Sequence, residues 1–345
     1  MKIIYLGNFN DCYVEGLLTL LREFKKYFSD KYELIFNDIS NIDLHTLIHI
    51  HSSGFFESVK YVKYAKLQYP LIYSLHSNGV PIFFKYLKDS FEYYVHIYVK
   101  KEDNFSFKDR VIKLIFSAIS NFIPIFIKRF FLNRMPIVIL PNKWLVSKLK
   151  LNNSYLIRQG IDVKKFKKNK EKIPSNNLLV CYFGHPTPGK GFLDVINVFS
   201  KLDSQRYSKN IFATSINKKI IKYVSKKDPT ITIKGLVKNI VSDYNSADIL
   251  VLPYRHSAGA IATPLVLIEA MACQCAIITS DLPHLREICG DSVIYVKPCD
   301  SRDMLNKIEY LNNNPLLRKR LGKKARQRVV KYYNKDIMLK QYEEL

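Results

Sequence analysis

The sequence lacks the features that would place it in several specialised classes of protein. Its 345 residues include six cysteines, but these form no two Cys-x-x-Cys pairs, so neither a zinc module of that kind nor a disulfide framework is expected. The opening residues, MKIIYLGNF, predict a short strand rather than a cleavable signal. Together these observations lead us to expect a reduced, cytosolic protein of two ordinary domains.

Acidic residues are scarce. The chain carries 54 Lys and Arg against 30 Asp and Glu, a formal net charge of +24. Such an excess suits nucleic acid, an anionic membrane or phosphorylated ligands. Residues 101–170 hold 16 of the basic side chains and only 4 of the acidic ones, whereas residues 1–100 are nearly neutral. The excess is therefore concentrated, and its position helps to decide among the three partners.

The basic region contains an apolar run that is too short to cross a membrane. It extends over 14 residues, from Leu114 to Ile127, with Pro124 inside it, whereas a spanning helix needs about 20 apolar residues. We expect an interfacial helix whose phenylalanines enter the headgroup boundary while flanking cations meet anionic lipid. The alternative is a core helix with basic ends. The residues assigned to membrane or acceptor contact are Lys113, Phe122, Phe126, Lys128, Arg129 and Phe130.

Strand and helix patterns alternate along the whole chain. The strands are almost continuously apolar, which is typical of parallel sheets covered on both faces. We predict an α/β protein with two Rossmann-like domains facing a cleft, at 1–165 and 170–325, joined by a basic linker. The segment 326–345 is expected to form a helix that packs back on the first domain. Ligands should bind beyond the carboxyl ends of the strands.

A glycine-rich turn follows the first strand of the second predicted domain. It has the letters GHPTPGKG, from Gly184 to Gly191, and nearly matches a nucleotide-triphosphate loop. The last position is glycine instead of Ser or Thr, so the hydroxyl that would bind magnesium is missing and we reject that interpretation. A backbone turn with Lys190 directed at a phosphate or diphosphate remains, and a purely structural turn is the alternative.

A second candidate site begins the helix with the letters PLVLIEAMA. Thr263 is predicted to be the N-cap and Pro264 the first helical residue, leaving the amides of Leu265 and Val266 to bind an anion. Glu269 follows within an apolar stretch and needs a partner. That partner is either a pair of sugar hydroxyls, as on a ribose, or a nearby lysine.

The order of motifs in the second half resembles a known family. It runs from the K-G turn through I-x-G-x-V, SADILVLP, PLVLIEAMA and AIITSD, and it covers about residues 155–345. This order resembles the nucleotide-sugar half of retaining glycosyltransferases with the GT-B architecture, specifically glycosyltransferase family 4. The first half offers weaker matches, in the strand-end histidines and in Glu15-Gly16, which resembles a glycine loop after the first strand.

The resemblance implies roles for individual residues. Lys190 would contact the donor diphosphate, Glu269 the donor ribose, and His76 would face the reacting sugar. Two positions depart from the family pattern: Ile261 replaces an earlier acid, and His185 replaces an arginine, so that His185 or Arg255 would have to supply the second cation. The implied catalytic residues are Lys190, His76 and Glu269, and the implied donor site comprises Gly16, Gly184, His185, Lys190, Arg255, Thr263, Leu265, Val266 and Glu269.

The same resemblance implies an activity. It is the retaining transfer of a sugar from a nucleotide-diphosphate sugar to a glycan or lipid-linked acceptor, in bacterial-type surface polysaccharide synthesis such as lipopolysaccharide or capsule. The chain contains no Asp-x-Asp pair, so we expect neither metal nor cofactor. The expected location is the inner face of the membrane. A sugar-nucleotide epimerase of the same architecture is the alternative, and a nucleic-acid binder fits less well because no such module is recognised.

Overall fold

The computed structural model describes residues 2–6, 15–37, 46–52, 70–75, 124–169, 177–214, 216–235, 239–257 and 262–345. They form two six-stranded sheets in which every strand pair is parallel. The predicted α/β architecture with two such sheets is confirmed. Elements are numbered below in chain order over the described residues.

The first sheet has the strand order β2-β1-β3-β4-β5-β6. Its helices include α1, whose residues Leu20, Leu21, Phe24 and Phe28 recur at helical spacing and are buried. The strands are β1 (Lys2–Leu6), β2 (Glu33–Phe36), β3 (Thr46–Ser52), β4 (Leu71–Leu75), β5 (Ile137–Leu140) and β6 (Ser154–Leu156), and the helices are α1 (Glu15–Phe28), α2 (Ile125–Leu132) and α3 (Lys143–Leu149).

The second sheet has the order β12-β11-β10-β7-β8-β9. Its strands are β7 (Leu178–Gly184), β8 (Tyr207–Ala213), β9 (Ile231–Lys234), β10 (Ile249–Leu252), β11 (Ala276–Ser280) and β12 (Ile294–Val296). The accompanying helices are α4 (Phe192–Phe199), α5 (Lys218–Lys227), α6 (Ile240–Ser246), α7 (Leu265–Ala272), α8 (Pro283–Cys289), α9 (Ser301–Asn312), α10 (Pro315–Tyr332) and α11 (Lys335–Glu343).

Apolar cores cover both faces of the second sheet. On one face α7 and α10 contribute residues such as Leu267 and Val329, and on the other α4, α5 and α9 contribute residues such as Phe192 and Ile308. Because side chains on both faces are buried, the strands are apolar along their length. Cys273 and Cys275 lie in the first of these cores, as expected for small buried side chains.

The last segment of the chain returns to the first sheet. Residues 326–345, expected as one helix, are divided between α10 and α11, and Asn334 caps α11 by accepting a hydrogen bond from Asp336 N at 3.1 Å. The Tyr342 hydroxyl lies 3.1 Å from Ser74 Oγ, and the Tyr342 ring packs edge-on against Phe24. The second half of the chain is thus anchored on β4 and α1 by its own carboxyl-terminal helix.

A second contact joins the two sheets near α3. Glu287 on α8 accepts hydrogen bonds from the backbone amides of Lys143 and Trp144, at 2.8 and 3.0 Å. Arg158 lies 3.4 Å from the same carboxylate. A carboxylate is favoured at a helix N-terminus because it satisfies open amides and opposes the helix dipole. An acidic side chain from one half therefore caps a helix of the other.

Candidate functional site

The glycine-rich turn packs against the chain that follows the neighbouring strand. Gly191 has φ +73°, and a Cβ at this position would lie 2.0 Å from the Pro253 carbonyl oxygen. Any other residue would therefore be both strained and in collision with backbone. Lys190 ends a short 3₁₀ turn over Pro188–Lys190, immediately before Gly191. The glycine thus lets the Lys190 turn approach the end of β10.

Arg255 holds the same two loops together. Its backbone amide donates to Gly189 O at 3.0 Å, and its guanidinium forms two bonds to the Asp194 carboxylate, at 2.7 and 2.9 Å. Asp194 lies in the first turn of α4. The backbone amide and two guanidinium nitrogens of Arg255 are therefore used within the protein. The sequence suggested Arg255 as a second cation for a diphosphate. In the structure its guanidinium is paired with Asp194.

His185 follows β7 and is surrounded by other side chains. Its Nδ1 contacts the hydroxyl of Thr214, and its carbonyl accepts a hydrogen bond from the Tyr182 hydroxyl at 2.8 Å. Burial lowers the pKa of His185 to about 4, and the positive charge of Lys190 adds to this effect. The imidazole is therefore neutral near pH 7 in this structure, and it offers hydrogen bonding rather than the second positive charge considered from the sequence.

The start of α7 differs from the prediction by one residue. The helix begins at Leu265 with Pro264 in the cap position, and the buried Thr263 hydroxyl has no hydrogen-bond partner among the described residues, so the prediction that Thr263 is the N-cap is wrong. The physical reason is that Pro264 keeps an extended ψ of 115° and leaves Thr263 too far from the helix amides. Pro264 O accepts hydrogen bonds from the amides of Leu267 and Ile268. The amides of Leu265 and Val266 are therefore the two left open at the start of the helix, as expected.

Glu269 is buried beside a tyrosine that the sequence did not indicate. The Tyr244 hydroxyl on α6 donates to Glu269 Oε2 at 3.0 Å. Burial raises the pKa of Glu269 to about 7, while the Tyr244 bond and the Lys165 charge act in the opposite direction. The protein partner is thus a phenol and not the lysine considered above. No sequence spacing links positions 244 and 269, so only the packing of α6 on α7 reveals the pair.

Several predicted residues fall outside the described ranges or occupy unexpected positions. His76 directly follows the last residue of β4 but is not among the described residues, and neither are Lys113, Phe122 and Ile261. Gly16 is described at the backbone level, as the second residue of α1. The expectation that Glu15-Gly16 forms a glycine loop is therefore wrong, because the helix already begins at Glu15.

Helix α2 presents an exposed aromatic face. Phe126 and Phe130, four residues apart, are 69% and 55% exposed, and the Arg134 guanidinium stacks over the Phe130 ring at 3.4 Å. Lys128 points the other way, is 4% exposed, and has its pKa lowered to about 8 by burial. Its expected lipid contact is therefore wrong, because two residues of helical rotation turn it inward. Arg129 donates to the carbonyls of Lys148 and Leu149 at the end of α3.

The described residues contain neither a membrane span nor a group of metal ligands. No helix among them has the length and apolar content that a membrane span requires. Within the same ranges, no three His, Cys, Asp or Glu side chains gather in a way that could hold a metal ion.

The chain is similar to several known proteins. The family model described as Glycosyl transferases group 1 matches residues 163–328, which include the glycine turn, Arg255 and Glu269. The capsular polysaccharide biosynthesis glycosyltransferase CapM of Staphylococcus aureus is 24% identical over 195 residues, covering 54% of this chain and 50% of that protein. The match therefore spans about half the length of this curated relative.

Solved structures match the whole chain. Sucrose-phosphate synthase from Thermosynechococcus elongatus and HepE from Anabaena, the latter in complex with UDP-glucose, align with TM-scores of 0.70 and 0.71. Each alignment covers 100% of this chain and 98% of the other, at 14% sequence identity. The two six-stranded parallel sheets therefore have the GT-B fold of these glycosyltransferase structures. Residues 163–328 thus match the glycosyl transferases group 1 family, that is, glycosyltransferase family 4, as the order of motifs in the second half of the sequence predicted.

Proposed function

We propose that the protein transfers a sugar, with retention at the anomeric carbon, from a UDP-sugar to a glycan or lipid-linked acceptor in surface polysaccharide synthesis. Transfer needs no metal in this proposal. The reaction takes place at the inner face of an anionic membrane.

One observation supports the donor site above all others. Lys190, the open amides of α7 and Glu269 all follow neighbouring parallel strands, β7 and β10, at the same carboxyl edge of the second sheet. Contacts between Gly191 and Pro253 and between Gly189 and Arg255 hold the two loops together. This edge is where open α/β sheets bind nucleotides.

The types of residue fit the parts of a nucleoside diphosphate. Lys190 and the amides of Leu265 and Val266 offer a cation and a helix N-terminus to the diphosphate, and Glu269 offers a carboxylate oxygen to ribose hydroxyls. His76, Gly184 and His185 are proposed to complete the site around the sugar, together with Gly16 and Thr263. UDP is the nucleotide of choice because HepE, which shares the fold, is described in complex with UDP-glucose.

The proposed chemistry follows from these groups. The bond between the anomeric carbon and the diphosphate oxygen breaks, and its electron pair stays on UDP, where Lys190 and the amides of Leu265 and Val266 stabilise the added negative charge. The acceptor oxygen attacks from the same face and forms the new glycosidic bond. Its proton passes to the leaving phosphate oxygen, so no separate protein base is required.

The acceptor side of the proposal rests on the surface of α2. Phe126 and Phe130 are exposed beside Arg134, and aromatic rings next to a cation suit the headgroup region of an anionic membrane. The name of CapM refers to capsular polysaccharide biosynthesis, in which acceptors carried on lipid are expected. We therefore favour a lipid-linked glycan over a free metabolite as the acceptor.

A mass-spectrometric screen of UDP-sugars with and without membrane extracts tests this function. A transferred sugar and released UDP, undiminished in EDTA, are expected. Lys190→Ala should reduce transfer by about tenfold or more, because one charge-assisted bond is worth about 1.5–3 kcal/mol. Lys201→Ala, an exposed lysine beyond the opposite end of α4, is the matched control. Loss of activity in EDTA, or an epimerised sugar without transfer, would contradict the proposal.

A further inference from the structure

Tyr244 is held rigidly beside Glu269. The tyrosine is fully buried on α6, with its ring 4.7 Å from that of Phe183 and 6.5 Å from that of Phe166. Its carbonyl accepts a hydrogen bond from Cys275 Sγ at 3.1 Å. Both the backbone and the ring are thus packed against neighbouring residues, and the hydroxyl donates a hydrogen bond to the Glu269 carboxylate.

Only one of the two carboxylate oxygens of Glu269 accepts a hydrogen bond from the described residues. Oε2 accepts from the Tyr244 hydroxyl at 3.0 Å, and the structure gives Oε1 no hydrogen-bond partner among the described residues. The surrounding turn of α7 is apolar, with Leu267, Ile268 and Ala270 all buried. A carboxylate in such surroundings needs its remaining oxygen to accept a hydrogen bond.

We propose that Tyr244 is the positioning residue of the donor site: its hydroxyl fixes Glu269 Oε2, so that Oε1 is directed at a hydroxyl group of the nucleotide. This inference rests on the proposed function, because it assigns a hydroxyl-bearing nucleotide to Glu269. Tyr244 itself does not contact the nucleotide and acts only through Glu269.

The charges around Glu269 give the proposal a distinctive signature. Three titratable groups act on the carboxylate or respond to it: Tyr244, Lys165 and Cys273. The pKa of the Cys273 thiol is raised to about 12, chiefly by burial, so that group stays uncharged. Burial raises the pKa of Glu269, and the bond from Tyr244 opposes that rise. Loss of the tyrosine hydroxyl should therefore leave more of Glu269 protonated near neutral pH.

Calorimetric titration of the full chain with UDP, between about pH 6.5 and about pH 9, tests the inference. Tyr244→Phe should weaken UDP binding about 3- to 10-fold near pH 7, the size of one net hydrogen bond. The weakening should be largest near pH 7 and smaller towards pH 9, because loss of the hydroxyl raises the pKa of Glu269, and at pH 9 the carboxyl is ionised in both proteins so that only the lost orientation remains. Glu269→Gln should weaken binding at every pH and remove the difference between Tyr and Phe at position 244.

A matched control and the contrary outcomes separate this inference from the proposed function. Tyr295 lies on the edge strand β12, and its partly buried hydroxyl donates to Gly290 O at 2.6 Å. The variant Tyr295→Phe removes this hydroxyl and should bind UDP as the unchanged protein does. If Glu269→Gln weakens UDP binding while Tyr244→Phe leaves it unchanged at all pH values, or if Tyr244→Phe weakens it further in the Glu269→Gln background, the positioning role is wrong. If Glu269→Gln has no effect, the proposed donor site itself is wrong.

Discussion

Asp194 and Arg255 form a two-bonded ion pair that joins the first turn of α4, directly after the glycine turn, to the segment after β10. The guanidinium lies 2.7 and 2.9 Å from the carboxylate oxygens, and both side chains are mostly buried. Arg255 also donates its amide to Gly189 in the glycine turn. The pair therefore fixes the distance between the Lys190 turn and the segment after β10.

Asp194→Ala is expected to destabilise the protein. Removing the carboxylate leaves a buried guanidinium without its partner, which costs about 3 kcal/mol in the free energy of unfolding. The exposed ion pair of Asp281 and Arg286 provides a control, and Asp281→Ala should cost less than about 1 kcal/mol. Denaturant titration of both variants measures the difference. Equal, small effects would show that the Asp194 pair does not hold the loops.

Gly191→Ala should damage the donor site more than a glycine replacement elsewhere. The new Cβ would meet the Pro253 carbonyl at a φ of +73°, and the backbone strain alone costs about 1–2 kcal/mol. Gly235→Ala is the control, because nothing lies within 4 Å of a Cβ at that position. We expect weaker UDP binding and a lower melting temperature for the first variant only. Normal UDP binding by Gly191→Ala would contradict the assigned approach of the two loops.

The fold was more accessible from the sequence than the contacts within the site. Apolar strands alternating with helical segments predicted two parallel sheets, because burial on both faces leaves a local signal. The turn that contains Lys190 and the start of α7 were predicted from short local motifs, a glycine-rich turn and a proline before an apolar helix. The Tyr244 bond to Glu269 and the Asp194 pair with Arg255 join positions far apart in sequence, and no periodicity records such contacts. Lys128 was misplaced because a basic residue beside an apolar run gives no sign of which way the helix faces.

Glu269 should make stability depend on pH. The pKa of its carboxyl is raised in the folded protein from 4.5 to about 7, so its contribution to stability is fully present below the lower value and is lost as pH rises through the higher one. Glutamine carries no charge at any pH. The melting temperature of Glu269→Gln, relative to the unchanged protein, should therefore be higher at about pH 8 than at about pH 5. A difference that is constant with pH would show that the folded carboxyl is not perturbed.

The aromatic face of α2 should bind anionic membrane. Replacing both Phe126 and Phe130 by serine should lower the fraction of protein that floats with anionic liposomes. If each ring is fully buried in the membrane, the partition coefficient should fall by about tenfold per ring. Leu316→Ser, at an 82% exposed residue on α10, is the control for loss of a surface apolar group. Binding should also fall with salt, because cations such as Arg134 contribute. Failure of the unchanged protein to float with anionic liposomes at low salt would remove this support for a lipid-linked acceptor.

The assignment of Lys190 to the diphosphate and Glu269 to the ribose is tested most directly by comparing UDP, UMP and 2′,3′-dideoxy-UDP as ligands in calorimetry. The unchanged protein should prefer UDP to both analogues. Lys190→Ala should reduce the preference over UMP and keep the preference over the dideoxy compound, whereas Glu269→Gln should reduce the preference over the dideoxy compound and keep that over UMP. If each variant loses both preferences equally, or neither, the two residues do not bind the parts of the donor assigned to them.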